Sequence, residues 1–216
     1  MDSRQDSNSE IIKEAKSLGI DIKFSHVVVA AKGYKKVKSC DIAEISEDKQ
    51  NLNQIKNIEC DCICVSGFWT PTIHLASQSG GKTKFKEEID AFVPDKSKQK
   101  EVTLGSANGV FTLEETLKTS FDKGFELSKE ITSNNNSQQI PKVSEKKHSK
   151  HDKFWCVPLP KGKKYKRFLD FQNDVAVSDI ELALKEGYRS IEHVKRYTTL
   201  GMATDQGKTS NLNGLQ

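Results

Sequence analysis

The chain contains 216 residues with a mass of 24.2 kDa, which is enough for one large domain or two small ones. Hydrophobic residues make up only 35% of the chain, and no apolar run approaches the ~20 residues of a membrane helix, which argues against a membrane span. The 34 lysines and arginines nearly balance the 30 aspartates and glutamates, for a net charge of +4. The polar residues 2–10 lack the apolar centre of a secretory signal, so we expect a cytoplasmic protein.

The first elements are predicted to be a helix and a β-hairpin. Ser7-x-x-Glu10 has the form of a capping box, and apolar residues follow at helical spacing until Gly19 supplies a stop. Residues 21–31 are rich in β-branched side chains and predict a strand. Gly33 predicts a turn after this strand, and residues 37–45 are predicted to pair with it as a hairpin.

Residues 48–57 are polar and predict a loop, and residues 58–65 predict a short apolar strand. Cys60, Cys62 and Cys64 occupy every second position of that strand, so they would share one face. Zinc sites usually use wider cysteine spacings, so we interpret the three as small buried hydrophobic residues, with a metal site as the alternative. The other two cysteines show no pairing pattern, which suits a reducing compartment.

The middle of the chain contains two glycine-containing turns. Residues 77–81 predict a loop of small residues, and residues 91–94 predict a short strand that ends at proline. Residues 105–109 form a second turn, and apolar residues at helical spacing follow in 113–127. A loop entering a helix presents unpaired N–H groups that can hold a pyrophosphate, although an ordinary helix start is the simpler interpretation.

A polar segment, residues 132–152, has no apolar period and predicts a disordered linker. Most of the excess positive charge lies in residues 142–153 and 161–167. Without interleaved aromatic residues we favour a solvated linker over a nucleic-acid-binding segment. Residues 154–158 then predict a strand.

The C-terminal part is predicted to be mostly helical. Residues 168–171 predict a strand, and a helix runs from Ser178 to a stop at Gly187. A second helix covers residues 190–197, with Ile191 and Val194 facing inward. A glycine-rich loop at residues 201–207 closes it.

Two passages carry a family resemblance. The first is VSGFWTPTIHL at residues 65–75, followed by SQSGGK at 77–82. The second combines FLDFQNDV at residues 168–175 with EHVKRYTTLGMATDQGKTSN at 192–211. Both closely resemble the alpha subunit of heterotetrameric sarcosine oxidase, and the likeness covers nearly the whole chain apart from the linker. That subunit is far longer, so we expect this chain to be an internal piece of it.

The resemblance implies an α/β (α+β) fold in two parts. Residues 1–131 would be the C-terminal part of a dinucleotide-binding domain of the glutathione-reductase, or pyridine nucleotide-disulfide oxidoreductase, type. Residues 132–152 would be a disordered linker. Residues 153–216 would be a small helical domain resembling bacterioferritin-associated ferredoxin, truncated before a folate-binding region. The positions of that ferredoxin's four cluster cysteines are held here by Asp170, Gln172, Asp205 and Ser210. Because cluster irons need thiolates, we expect no iron–sulfur cluster and no metal.

The resemblance also implies a tightly held NAD, although the G-x-G-x-x-G fingerprint that cradles its pyrophosphate appears nowhere in the 216 residues. We therefore expect an incomplete NAD site. Asp2 would accept hydrogen bonds from the ribose hydroxyls, while an exposed aspartate without a ligand is the alternative. The implied NAD contacts are Asp2, Ser3, Arg4, Val28, Ser106 and Leu113.

An FMN at the interface with the beta subunit is implied near the second helix of the C-terminal domain. The candidate phosphate contacts are Lys195, Arg196, Thr198, Thr199 and Lys208. A solvated basic helix face is the competing interpretation.

In the family, sarcosine is oxidised on a beta-subunit FAD, electrons pass to FMN, and the one-carbon unit passes to tetrahydrofolate on alpha. The resemblance therefore implies beta, gamma and delta subunits as partners, with neither nucleic acid nor membrane. No catalytic residue is expected in this chain, which is expected to be inactive alone. The alternatives are the alpha subunit of a related amine dehydrogenase, opine dehydrogenase or cyanide synthase, and a non-catalytic interaction module. The related enzymes usually keep the four cluster cysteines, which separates them from this chain.

Overall fold

The structure, a computed structural model, describes residues 1–7, 9–67, 69–132, 143, 154–160, 162–163 and 165–216. The predicted linker lies almost entirely outside these described residues. Contacts divide the chain into a first unit, made of Met1–Val65 and Asp152–Gln216, and a second unit, Ser66–His151. The domain boundaries predicted from the sequence stay a prediction. Within the described ranges, no helix is long and apolar enough to cross a membrane.

The described elements are α-helices and antiparallel strands. The first half contains α1 (Glu10–Ser17), β1 (His26–Gly33), β2 (Val37–Ile45), β3 (Leu52–Glu59), α2 (His74–Gln78), β4 (Lys82–Lys86) and β5 (Ala91–Lys96). The second half contains α3 (Leu113–Ile131), β6 (Phe168–Asp170), β7 (Val175–Ala176), α4 (Val177–Lys185), α5 (Ile191–Thr198) and α6 (Asn211–Leu215). This mixed content confirms the expected α/β class.

The first unit is built on a three-stranded antiparallel sheet in the order β1-β2-β3. The central strand β2 supplies most of its core, because Ile42, Ala43 and Ile45 are almost fully buried, with Val27 from β1 beside them. The hairpin partner predicted at residues 37–45 is confirmed, since β2 has those bounds.

Two predictions for residues 48–65 were wrong. The region predicted as a polar loop holds β3, whose register partners on β2 run from Ser39↔Glu59 to Ile45↔Leu52. A strand of an antiparallel sheet can keep one face in water and then needs few apolar side chains. The polar composition of β3 therefore gave no strand signal in the sequence. No strand forms at residues 61–65, where an apolar strand was predicted.

The predicted N-terminal helix forms, but its cap is Ser9 rather than Ser7. The Ser9 hydroxyl oxygen accepts a hydrogen bond from the Ile12 amide at 3.3 Å, which satisfies one of the free N–H groups of the first turn. The helix buries none of its residues, and Ile11 is 78% exposed.

The second unit joins the hairpin β4–β5 to α3 through a glycine turn. Strand β5 continues two residues past Pro94, where the sequence predicted its end, because each strand of a two-stranded ribbon is an edge that tolerates proline. A 3₁₀ turn at Gly105–Asn108 and Gly109 at φ 76° lead towards α3. The predicted loop before a helix is therefore confirmed.

The C-terminal part of the first unit packs α4 and α5 beside the short β6–β7 ribbon. Val175, Ala183, Val194 and Leu200 are buried and form its core. The prediction that Val194 faces inward is confirmed, but Ile191 is 38% exposed and does not. Residues 154–158 form no strand, and α6 was not predicted.

Candidate functional site

The end of β6 holds a buried carboxylate. Asp170 is only 3% exposed, and its Oδ1 accepts hydrogen bonds from the amides of Gln172 (2.9 Å) and Asn173 (3.3 Å). Its Oδ2 accepts from the Gly201 amide (2.9 Å) and from the Ser210 hydroxyl (3.4 Å). The Asp170 side chain thus joins β6 to Gly201 and Ser210, which lie 31 and 40 residues further along the chain. We call residues 170–174, 199–201 and 204–211 the Asp170 corner.

The two other positions expected to replace cluster cysteines also lie in the Asp170 corner. The Thr204 hydroxyl donates to Gln172 Oε1 at 2.6 Å. Asp205 accepts from the Gly207 amide and from both the amide and the hydroxyl of Thr209. These bonds, led by the Thr209 hydroxyl, lower the pKa of Asp205 below its usual range. All four positions therefore hold hydrogen-bonded oxygen groups, and in the described part of the chain no three His, Cys, Asp or Glu residues form a metal site.

Asn211 fills the space between two glycines of the same corner. A Cβ on Gly201 would stand 2.0 Å from Asn211 Oδ1, and a Cβ on Gly207 would stand 2.2 Å from Asn211 Nδ2. Both glycines also have positive φ, 66° and 76°. The Asn211 Oδ1 atom is buried and has no hydrogen-bond partner among the described residues.

Of the cations predicted to contact FMN, Lys208 belongs to the Asp170 corner, whereas Lys195 and Arg196 precede the corner along the chain. Lys195 and Arg196 occupy the last turn of α5, where positive charge also favours the helix dipole. Lys208 follows Gly207, whose Cα lies 3.1 Å from where a Cβ on Gly201 would stand. Within the described ranges none of these three cations forms an ion pair.

The two threonines predicted with these cations have other roles. The Thr198 hydroxyl donates to the Val194 carbonyl at 2.8 Å and accepts from the Leu200 amide at 3.3 Å. Thr199 ends α5 at φ 63°, and its carbonyl accepts from Asn173 Nδ2 at 2.9 Å. The Thr198 hydroxyl is thus engaged with its own backbone, while Thr199 turns the chain towards Gly201.

The predicted NAD contacts fall into both units. Asp2 and Arg4 form an ion pair in which Nη2 of Arg4 lies 2.6 Å from Oδ2 of Asp2, and Oδ1 accepts from the Arg4 amide and Nε at 3.0 Å. These bonds lower the pKa of the Asp2 carboxyl, the side-chain bond from Arg4 being the largest cause. Ser3 and Val28 lie in the first unit as well, whereas the remaining predicted contacts, Ser106 and Leu113, lie in the second unit.

Sequence reasoning missed a second buried carboxylate, in β2. The side chain of Asp41 is 3% exposed and accepts hydrogen bonds from Lys32 Nζ (2.7 Å), Asn57 Nδ2 (2.8 Å) and the Tyr165 hydroxyl (3.1 Å). The pKa of Asp41 is lowered, first by the bond from Lys32 and then by that from Asn57. The available signal was the position of Asp41 directly between the apolar residues Cys40 and Ile42 of the predicted strand.

The row of three cysteines is not buried as predicted. Cys62 and Cys64 are exposed, and Cys60 is half-buried. Only Cys40 is buried among the five cysteines, and burial raises the pKa of its thiol, with Cys60 contributing next. The Sγ atoms of Cys62 and Cys64 lie 3.9 Å apart. The prediction failed because the strand that would have turned these side chains to one face does not form.

Comparisons with known proteins support the resemblance found in the sequence. Residues 164–216 match the family model described as the sarcosine oxidase A3 domain. The chain is 31% identical to the sarcosine oxidase subunit alpha of Corynebacterium sp. strain P-1 over 205 residues, covering 92% of this chain and 21% of that protein. It is 34% identical to the same subunit of Rhizobium meliloti strain 1021 over 190 residues, which is 88% of this chain and 18% of the relative. The chain thus spans about a fifth of the length of these relatives.

A solved structure has a similar fold. The crystal structure of L-proline dehydrogenase from P. horikoshii aligns with a TM-score of 0.56 over 95% of this chain and 41% of that one. The two sequences are 19% identical, so this likeness concerns the fold alone.

Proposed function

We propose that this chain is part of an amine-oxidising flavoenzyme, because it is similar to the sarcosine oxidase alpha subunit and its residues 164–216 match the sarcosine oxidase A3 domain. The substrate would be sarcosine, demethylated oxidatively, with the one-carbon unit passed to tetrahydrofolate. The observation that carries this proposal is the likeness along 92% of the chain at 31% identity. The chain would be an oxidoreductase component acting on a CH–NH bond.

The Asp170 corner would serve as the FMN-facing surface of this component. Lys208 of this corner, with Lys195 and Arg196 at the end of α5, would contact the FMN phosphate, because phosphate oxygens accept several charge-assisted hydrogen bonds. The buried Asp170 would hold the backbone of the corner in place. FMN, when bound, would supply the electron-accepting ring, and the residues of this chain would bind and orient its phosphate.

The residues proposed for NAD fit less well. The Asp2 carboxylate already accepts four hydrogen bonds from Arg4, so a ribose hydroxyl would have to displace a guanidinium. We therefore assign no step to NAD. Ser3, Val28, Ser106 and Leu113 remain proposed lining residues, and we expect no saturable binding of micromolar NAD to the 216-residue chain in isothermal titration.

The remaining chemistry would lie on other polypeptides or regions. FAD would be held by a beta subunit, and gamma and delta subunits would complete the assembly. The C-terminal domain would keep the shape of bacterioferritin-associated ferredoxin without its cluster, since Asp170, Gln172, Asp205 and Ser210 offer oxygen groups that are already hydrogen-bonded to the protein.

A tagged form of the chain, purified with its natural partners from its own host, tests this proposal. We expect partner subunits that contain FMN and FAD, and reduction of the flavins by sarcosine in the absence of oxygen. Reduction by L-proline or an opine, and not by sarcosine, would favour the related dehydrogenase. Isolation without flavin or amine-dependent reduction would favour the interaction module.

The FMN contact is tested with two variants of the purified complex. Arg196→Ala combined with Lys208→Ala should lower the FMN:FAD ratio measured after denaturing extraction. The matched control is Lys185→Ala combined with Arg189→Ala, which removes the same charges from the end of α4 and the loop after it. An unchanged ratio in the first variant would assign its cations to a solvated helix face.

A further inference from the structure

Two exposed thiols lie side by side just after the sheet of the first unit. Cys62 and Cys64 follow the end of β3, and their Sγ atoms are 3.9 Å apart. In the described part of the chain, the last backbone bond that joins this segment to the sheet runs from the Cys60 amide to the Lys38 carbonyl. The backbone between the two thiols can therefore adjust without breaking the sheet.

The distance between the two sulfurs is already close to what a covalent bond requires. A disulfide has an S–S length of about 2 Å, so the sulfurs need to approach by roughly 2 Å, which side-chain rotation and a small backbone shift can supply. In a regular strand the intervening residue would hold the two side chains apart along the strand. The irregular segment after β3 lets Cys62 and Cys64 meet.

The other cysteines do not offer an exposed pair. Cys40 is buried in β2, and its nearest thiol neighbour is the half-buried Cys60. Cys156 is exposed, but its sulfur accepts a hydrogen bond from Arg167 Nη1 at 3.0 Å and has no thiol partner among the described residues. Cys62 and Cys64 are therefore the two neighbouring thiols that an oxidant in solution can reach most easily.

We propose that Cys62 and Cys64 form an oxidation site at which a hydroperoxide, hydrogen peroxide being the simplest, closes an intramolecular disulfide. One thiolate attacks a peroxide oxygen and breaks the O–O bond, which yields a sulfenic acid and, after protonation, one water. The second thiol attacks the sulfenic sulfur, forms the S–S bond and releases a second water. Overall the two thiols lose two electrons and two protons, and hydrogen peroxide is reduced to two waters.

The pH dependence of this reaction follows from the pair itself. The hydrogen bond to Cys64, followed by its charge, raises the pKa of the Cys62 thiol. Because the thiolate is the nucleophile, the rate of closure should rise by up to about tenfold per pH unit below the pKa of the attacking thiol. The nearby Asp61 and Cys60 also raise the pKa of the Cys62 thiol.

The test uses the full chain carrying Cys156→Ser, reduced and then exposed to a small excess of hydrogen peroxide. Free thiols are blocked with iodoacetamide, and the chain is cut with a protease that cleaves before aspartate. Cleavage before Asp61 separates Cys60 from the pair, and cleavage before Asp41 separates Cys40. We expect the peptide that begins at Asp61 to lose two hydrogens and to carry no alkyl group, while the other two thiols remain alkylated.

Single variants complete the test. Cys62→Ser and Cys64→Ser should each abolish the bridge, and since both positions are exposed the near-UV circular dichroism should be unchanged. Three results would overturn the proposal. They are alkylation of both cysteines after peroxide treatment, a bridge that includes Cys60, and closure no faster than in the chain unfolded in urea.

Discussion

Replacing Asp41 with alanine should lower the free energy of unfolding of the first unit considerably, because this carboxylate joins elements that are distant in the sequence. It accepts hydrogen bonds from β1 through Lys32, from β3 through Asn57 and from Tyr165, which is 124 residues away along the chain. Its side chain is 3% exposed, so water does not replace these partners. The change removes the shared acceptor of all three donors at once.

The expected magnitude follows from what remains after the substitution. Removing one partner of a buried ion pair costs about 3–5 kcal/mol, because the other charge is left uncompensated. Lys32 is half exposed and can turn its ammonium group to water, which places our expectation for Asp41→Ala at the lower end, about 3 kcal/mol. Tyr165→Phe removes one hydrogen bond to a charged acceptor and should cost about 1.5 kcal/mol. In the Asp41→Ala background the same change should cost much less, since its acceptor is already gone.

The cost should also depend on pH. The folded-state pKa of Asp41 is lowered, chiefly by the bond from Lys32. A carboxyl of this kind contributes stability that is present above its unfolded pKa of about 3.9 and is lost as the pH falls through the lower folded value. The difference between the wild-type chain and Asp41→Ala should therefore shrink as the pH falls below about 4.

Urea unfolding followed by far-UV circular dichroism measures the free energy, and hydrogen–deuterium exchange of the β2 and β3 amides assigns the loss to the first unit, since two units need not unfold together. The matched control is Asp21→Ala, which removes an exposed carboxylate from its 2.8 Å contact with Lys23 and should have no measurable effect. A loss below about 0.5 kcal/mol for Asp41→Ala, typical of a surface substitution, would refute the reasoning.

Three further predictions concern the Asp170 corner. Gly207→Ala should destabilise the C-terminal helices by at least about 1–2 kcal/mol, because a side chain at this position has an unfavourable φ and meets Asn211. Thermal unfolding measures the loss, and combining Gly207→Ala with Asn211→Gly should recover part of it. Asp170→Ala should lower the thermal midpoint as well, since four donors lose their acceptor, whereas an unchanged midpoint would show that water replaces it. Anaerobic reconstitution with iron and sulfide should give no visible absorbance band, and a band with about two irons per chain would contradict the oxygen-ligand interpretation of the corner.

Local patterns predicted the elements whose signals lie in neighbouring residues. The strand at Val37–Ile45 combines β-branched residues with a glycine turn before it, and the entry to α3 combines glycines with helical spacing, so both were found. The strand Leu52–Glu59 was missed because its polar residues face water at a sheet edge, and pairing with β2 stabilises it more than its own composition does.

The candidate site could be predicted only in part, because its determinants are contacts between distant segments. The family resemblance singled out Asp170 as a position of interest, but not that it would bind the Gly201 amide or that Asn211 would fill the space between two glycines. The cysteine row misled for a related reason. Alternation indicates a shared face only if the strand forms, and a strand needs a partner that no local pattern supplies.

The division of the first unit into two stretches of chain determines the order in which it can fold during synthesis. Residues 1–65 leave the ribosome before the second unit, and the tyrosine that completes the Asp41 cluster lies beyond it. At 5–20 residues per second, the 86 residues of Ser66–His151 take roughly 4–17 s to translate. During that interval the Asp41 carboxylate of the nascent sheet lacks the hydrogen bond from the Tyr165 hydroxyl.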